Sequence, residues 1–117
     1  FKIMKDIRFR NVFGKPMIIS EFGAGAKKGY VSSLGPGKLW SEEYQAQVYN
    51  YQLDMLDRND SVQGMSPWIL KDFRSASREL NYIQELYNRK GVVSEKGEKK
   101  QAFFVLQKFY KEKATVE

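Results

Sequence analysis

The sequence predicts an α/β fold with parallel strands, and three observations predict it. Short, continuous apolar runs alternate with amphipathic segments. The runs are of the uninterrupted kind that suits strands of a parallel sheet. The connections that follow the runs are long and those that precede them are short. Along the chain the order is helix, strand, long loop, helix, strand, long loop, helix.

Phe1 to Phe13 reads as the first helix, with Ile3, Met4 and Ile7 at helical spacing. Gly14 can close it in the left-handed conformation, and Pro16 forbids its continuation. Met17-Ile18-Ile19 is predicted as a strand buried on both faces. Residues 22–38 form a glycine-rich loop that also holds Pro36. Ser41 can cap the next helix, and Glu42 and Glu43 favour the positive end of its dipole. Its predicted inner face is Tyr44, Val48, Tyr51 and Met55. Asn59-Asp60-Ser61 turns the chain into a second strand, predicted from Val62 to Leu70. Residues 71–91 are polar and predicted to be irregular. Gly97 precedes a last helix from about Lys99 to Lys113, with Ala102, Phe103, Leu106, Phe109 and Tyr110 as its apolar stripe.

Long loops at the C-terminal ends of strands are the arrangement of barrel enzymes, whose active sites lie on those loops. Eight strands in roughly 250 residues close such a barrel. This chain has 117 residues and two predicted strands, so it reads either as a small α/β domain or as part of a larger one. Two parallel strands alone leave edges and an apolar face open. The chain on its own is therefore expected to associate with copies of itself, to swap elements or to require further polypeptide.

Composition narrows the chemistry. The sequence contains no cysteine and no histidine, which removes disulfides, thiol nucleophiles and the commonest general base and metal ligand. Neither a metal nor an organic cofactor is expected, and any hydrolysis would fall most simply to carboxylates. A hydrophobic fraction of 42% marks a globular chain. No apolar run is long enough for a membrane span, and the charged opening Phe1-Lys2-Ile3-Met4-Lys5-Asp6 is not a signal peptide. The formal net charge of +6 raises nucleic-acid binding as a reading. However, Arg89, Lys90, Lys96, Lys99, Lys100, Lys108, Lys111 and Lys113 are interleaved with Glu95, Glu98 and Glu112, a pattern that predicts a solvated face and no nucleic-acid partner.

Four residues are candidates for chemistry. Glu21 stands where Met17-Ile18-Ile19-Ser20 runs into Phe22-Gly23. A carboxylate at the mouth of a strand is either catalytic or bonded to a neighbouring lysine or amide. Trp68, in Ser66-Pro67-Trp68-Ile69-Leu70, can stack on the apolar face of a sugar or can pack in the core. Asp72 and Arg74 are expected to form a structural ion pair. Asn88 and Lys90, in Asn88-Arg89-Lys90-Gly91, could hold a carboxylate or could form a basic turn.

Taken in order, these pieces resemble the C-terminal part of the (β/α)8 barrel of family 2 glycoside hydrolases, the β-glucuronidase branch most of all. Lys15-Pro16-Met17-Ile18-Ile19-Ser20-Glu21-Phe22-Gly23 is similar to the family's nucleophile strand. Trp40-Ser41-Glu42-Glu43-Tyr44-Gln45 looks like the start of the following helix. Ser66-Pro67-Trp68-Ile69-Leu70 and Asp72-Phe73-Arg74 resemble the last barrel strand and its exit. Asn88-Arg89-Lys90-Gly91 and Lys99-Lys100-Gln101-Ala102-Phe103 resemble the closing loop and final helix.

The resemblance implies that residues 1–117 are one stretch of a catalytic barrel, about two βα units plus a preceding helix. It implies that Glu21 is the nucleophile of a retaining β-glucuronidase and that Trp68 lines the sugar subsite. Asn88 and Lys90 match the Asn-any-Lys motif that reads the uronic carboxylate. The family's acid/base is a Glu that follows an Asn, and no Asn-Glu pair occurs here; the isolated stretch is therefore expected to be inactive. The rival readings are a β-galactosidase of the same family and a non-catalytic carbohydrate-binding module.

Overall fold

The computed structural model describes residues 13–31 and 38–115. The predicted first helix lies outside the described residues except for Phe13, which is in a turn. The described elements are β1 (Met17–Ile19), α1 (Glu42–Asp57), β2 (Val62–Met65), β3 (Phe73–Arg74), β4 (Tyr87–Asn88) and α2 (Gln101–Ala114).

The expected parallel pairing is present. β1 lies beside β2 with Met17 opposite Val62, Ile18 opposite Gly64 and Ile19 opposite Met65, and the register slips between Met17 and Ile18. Met17 N–H donates to Ser61 O at 2.8 Å, and Ser66 N–H donates to Ile19 O at 2.8 Å. Two expectations need correction. β2 stops at Met65 and does not run to Leu70, because the register breaks beyond it: Ser66 and Trp68, two residues apart, donate to Ile19 O and Phe22 O, three residues apart. β1 is not buried on both faces: Ile18 is 74% exposed, since the described chain puts nothing over that side.

Residues 71–91, expected to be irregular, contain a short antiparallel pair. Phe73 lies opposite Asn88 and Arg74 opposite Tyr87, and Ser75 N–H closes the pair on Leu86 O at 2.7 Å. With only two residues on each side, the alternation is too short to leave a mark in the sequence.

α1 begins as predicted. Ser41 is extended, and its hydroxyl accepts the Tyr44 N–H at 3.1 Å. The buried face is rotated from the expected one. Gln45, Val48, Tyr49, Leu53, Met55 and Leu56 are buried, whereas Tyr44 and Tyr51 are only half-buried. α1 packs on α2, and the core between them is Tyr49, Leu53, Val92, Ala102 and Leu106, flanked by Phe22, Met65, Phe103 and Phe109. α2 presents the predicted stripe, although Tyr110 at its edge is 44% exposed.

Glu42 does more than face a helix dipole. It is 3% exposed. One carboxylate oxygen accepts Gly29 N–H at 2.8 Å, and the other accepts Gln101 N–H at 2.9 Å. Gln101 is the first residue of α2, whose N-cap, Lys100, makes no side-chain capping bond. The missing cap is thus supplied from another helix. Glu42→Ala leaves both N–H groups without this acceptor and is expected to destabilise the chain by about 2 kcal/mol or more. Urea unfolding of the variant beside the wild type checks this.

Candidate active site

Three segments meet at the C-terminal end of the parallel pair. The first is the exit of β1, residues 20–26. The second follows β2 through Trp68 and Ile69. The third runs from Asn88 to Val93. Trp68 N–H donates to Phe22 O at 2.8 Å, Ile69 N–H to Lys90 O at 3.1 Å, and Val92 N–H to Ile69 O at 3.0 Å. Ala26 N–H donates to Arg89 O at 2.9 Å. The residue after Glu21 is therefore bonded to Trp68, and the residue after Trp68 is bonded to Lys90.

The four candidates differ in setting. Glu21 and Lys90 are exposed. Trp68 is 36% exposed and meets Phe73 edge to face at 6.3 Å. Asn88 is buried, and its Oδ1 accepts the Lys90 N–H at 3.0 Å. That bond forms an Asx turn, which leaves the amide NH2 as the group Asn88 can offer. Gly23, at φ 132°, lies against Tyr49 and Trp68. A Cβ there would sit 2.8 Å from the Tyr49 ring and 3.1 Å from Trp68 O, so only glycine lets the exit of β1 approach so closely.

Beneath these residues lies a buried ionic cluster, which corrects two expectations. Asp72 does not pair with Arg74; it faces inward, where Lys100 Nζ reaches its Oδ1 at 2.9 Å and Arg89 reaches its Oδ2 at 3.4 Å. Gly91 N–H adds a third bond at 2.8 Å. Arg74 instead lies over the Tyr87 ring at 5.3 Å. The C-terminal cations are likewise not all solvated. Lys96, Lys99, Lys108 and Lys111 are exposed, whereas Lys100 is 0% and Arg89 is 4% exposed. Arg89 also donates to Glu95 at 2.6 Å and to Ile83 O at 2.9 Å.

Lys100 spends its other two N–H groups on Ala26 O at 2.5 Å and Arg89 O at 3.3 Å. Gln45 Nε2 donates to Ala24 O at 2.9 Å and to Gly91 O at 3.0 Å. Sequence reasoning gave Gln45 and Lys100 no role of their own. Their types are ordinary on a surface, and only burial reveals them.

Burial pushes the Asp72 carboxyl above the usual carboxylate range, while its bond to Lys100, the charges of Lys100 and Arg89 and the Gly91 N–H pull it back. Burial lowers Lys100 from its ordinary value, opposed by Asp72. Burial, and then the charge of Tyr110, pushes the Tyr49 hydroxyl up.

Comparison with known proteins gives this geometry a family. No protein-family model matches the chain. The β-glucuronidase of Paenibacillus borealis is 34% identical over 94 residues, which are 80% of this chain and 15% of that protein. The β-glucuronidase of Rattus norvegicus is 35% identical over 102 residues, 85% of this chain and 15% of its own length. The crystal structure of a GH2 β-galacturonidase from Eisenbergiella tayi bound to galacturonate superimposes with a TM-score of 0.76 at 33% identity, over 85% of this chain and 17% of that one. The chain matches a segment of the family 2 glycoside hydrolases. The chain spans about 15% of the length of the curated relatives it matches. Among its described residues, no helix is long and apolar enough to cross a membrane.

Two stability outcomes follow from the geometry. Asp72→Asn takes the counter-ion from the buried Lys100, and Lys100→Met leaves Asp72 with only the longer contact to Arg89; each alone is expected to cost about 3–5 kcal/mol. The double variant is expected to cost clearly less than the sum, as read from a double-mutant cycle in urea. For Tyr49, the raised folded-state value means that the folded chain holds the proton more tightly than the unfolded chain. Its contribution is complete below the ordinary tyrosine value of about 10 and is lost as pH rises above it. Urea midpoints are therefore expected to fall above about pH 10, and Tyr49→Phe is expected to flatten that fall. At neutral pH the Tyr49→Phe cost should be about 1 kcal/mol or less, since the hydroxyl's bond to Trp68 O is 3.4 Å long.

Proposed function

We propose that this segment belongs to a retaining glycoside hydrolase that cleaves β-D-glucuronides, and that it forms the C-terminal part of that enzyme's (β/α)8 barrel. In this reading Glu21 is the nucleophile, Trp68 lines the sugar subsite, and Asn88 and Lys90 read the uronic carboxylate. The observation that carries it is the interlocking of the three segments that bear these residues, through Trp68 N–H to Phe22 O and Ile69 N–H to Lys90 O. The likeness to β-glucuronidases over most of the chain supports the choice of substrate.

The chemistry follows from two carboxyl groups. The ionised Glu21 attacks the anomeric carbon as the bond to the leaving oxygen breaks. A second carboxyl group, held about 5 to 5.5 Å away in retaining enzymes, protonates that oxygen. It then takes a proton from water, which displaces Glu21 from the glycosyl-enzyme. The second carboxyl group is supplied by polypeptide outside this segment, so the segment alone is inactive. Lys90 is exposed and bears a full charge on a long stem; Asn88 is buried and offers an oriented NH2. Together they suit a carboxylate, which accepts charge-assisted bonds from both.

β-Galacturonides are the second reading, favoured by the similarity to the β-galacturonidase structure. Both substrates carry the carboxylate that Asn88 and Lys90 would bind.

In the full-length enzyme, Glu21→Gln is expected to abolish turnover while leaving substrate affinity within a few-fold of wild type. Lys90→Ala is expected to lower kcat/KM on p-nitrophenyl β-D-glucuronide about 10- to 100-fold, the loss of one charged hydrogen bond, and to affect the matched glucoside far less. Near wild-type turnover in Glu21→Gln would end the nucleophile assignment. Assays on the matched galacturonide separate the two uronide readings.

A further inference from the structure

Two buried side chains on different helices join the same pair of loops. The exit of β1 and the Asn88–Gly91 loop run side by side, tied directly by Ala26 N–H to Arg89 O at 2.9 Å. At two further points they present carbonyls to the same donor. Ala24 O and Gly91 O are both acceptors, and a carbonyl cannot bond a carbonyl. The Gln45 amide stands between them and spends both of its N–H groups, at 2.9 and 3.0 Å. Ala26 O and Arg89 O are bridged in the same way by the Lys100 ammonium, at 2.5 and 3.3 Å. Its third N–H goes to Asp72 at 2.9 Å. Gln45, Lys100 and Asp72 are essentially inaccessible to solvent, so water cannot stand in for the missing donors without moving the loops.

We propose that Gln45 and Lys100, with Asp72 as the counter-ion of Lys100, are positioning residues that set the distance between Glu21 and the Asn88–Lys90 loop, and thereby set the preference for uronides over neutral glycosides. This rests on the function proposed above. The two loops carry the groups assigned to opposite ends of one sugar ring: the nucleophile for the anomeric carbon and the Asn88–Lys90 pair for the carboxylate. A uronide is held at both ends, so a change in loop spacing misplaces its anomeric carbon. A displacement of 1 Å can cost about 100-fold in rate. A neutral glycoside makes no ionic contact with the second loop, so its reaction does not depend on that spacing. The ratio of the two activities therefore reads the spacing, whereas a purely structural role would lower both together.

The test is made in the full-length enzyme, with Gln45→Met and separately with Asp72→Asn/Lys100→Met. Methionine keeps the volume and removes the donors, and the paired change avoids leaving Asp72 buried without its closer cation. Steady-state kinetics are measured on p-nitrophenyl β-D-glucuronide and p-nitrophenyl β-D-glucoside, with melting temperatures to confirm folding. Gln45→Met is expected to lower kcat/KM on the glucuronide about tenfold or more, with a raised KM, and to lower it on the glucoside by less than about threefold. If Gln45→Met does not fold, the paired variant decides by the same ratio. Equal falls on both substrates, no fall on the glucuronide, or loss of folding in both variants would overturn the proposal in favour of a structural role alone. Lys90→Ala, run beside them, separates the two levels of inference. If it leaves the glucuronide preference intact, the uronide reading itself fails. If it removes the preference while Gln45→Met does not, only the positioning role falls.

Discussion

A lysine ammonium with no access to water is the interaction on which the rest of the structure depends. Lys100 sits at the start of α2, and its three N–H groups reach Ala26, Arg89 and Asp72. A buried ammonium is costly unless every proton finds an acceptor and the charge finds a partner. Both conditions are met, and meeting them fixes four parts of the chain at once: the exit of β1, the entry to β3, the loop that leaves β4, and the first turn of α2. Glu42 repeats the logic with the opposite charge. Its carboxylate ties Gly29 to Gln101, so the start of α2 is pinned from both sides.

The consequence for the candidate site is a division of labour by depth. The candidates Glu21, Trp68 and Lys90 are exposed or partly so, and they stand on loops. Loops hold side chains in place only when something beneath them is rigid. Here that support is polar. Gln45, Asp72, Arg89 and Lys100 are buried, and most of their bonds run between segments distant in sequence. Hydrogen bonds are directional in a way that apolar packing is not, which suits an interior that joins two loops. The apolar core of Tyr49, Leu53, Val92, Ala102 and Leu106 lies below and joins α1 to α2. Tyr49 links the two layers, since its hydroxyl reaches up to Trp68 O.

The similarity to β-glucuronidases covers most of this chain but a small part of those proteins. The open side of β1 is in keeping with that proportion. Ile18 faces outward beside Gly64, an arrangement that in a closed barrel would be met by further strands.

By itself the sequence determined β1, α1, β2 and α2, their order and the parallel pairing of β1 with β2, but not the β3–β4 pair. These follow from local signals: the apolar run at Met17-Ile18-Ile19, the cap at Ser41, the periodicity of α2, and long loops only after strands. It also marked Glu21, Trp68, Asn88 and Lys90 as candidates, because an ordered set of short motifs resembles one family. Tertiary structure alone decided how the polar residues are used. Asp72 left its near neighbour Arg74 for Lys100, 28 residues away. Lys100 and Arg89 left a seemingly solvated basic stretch for the interior, and Gln45 became a bridge between two loops. A lysine or glutamine looks the same in sequence whether water or a carbonyl accepts its protons. Which of the two it meets depends on the path of distant backbone, and that path is set only when the whole chain has folded.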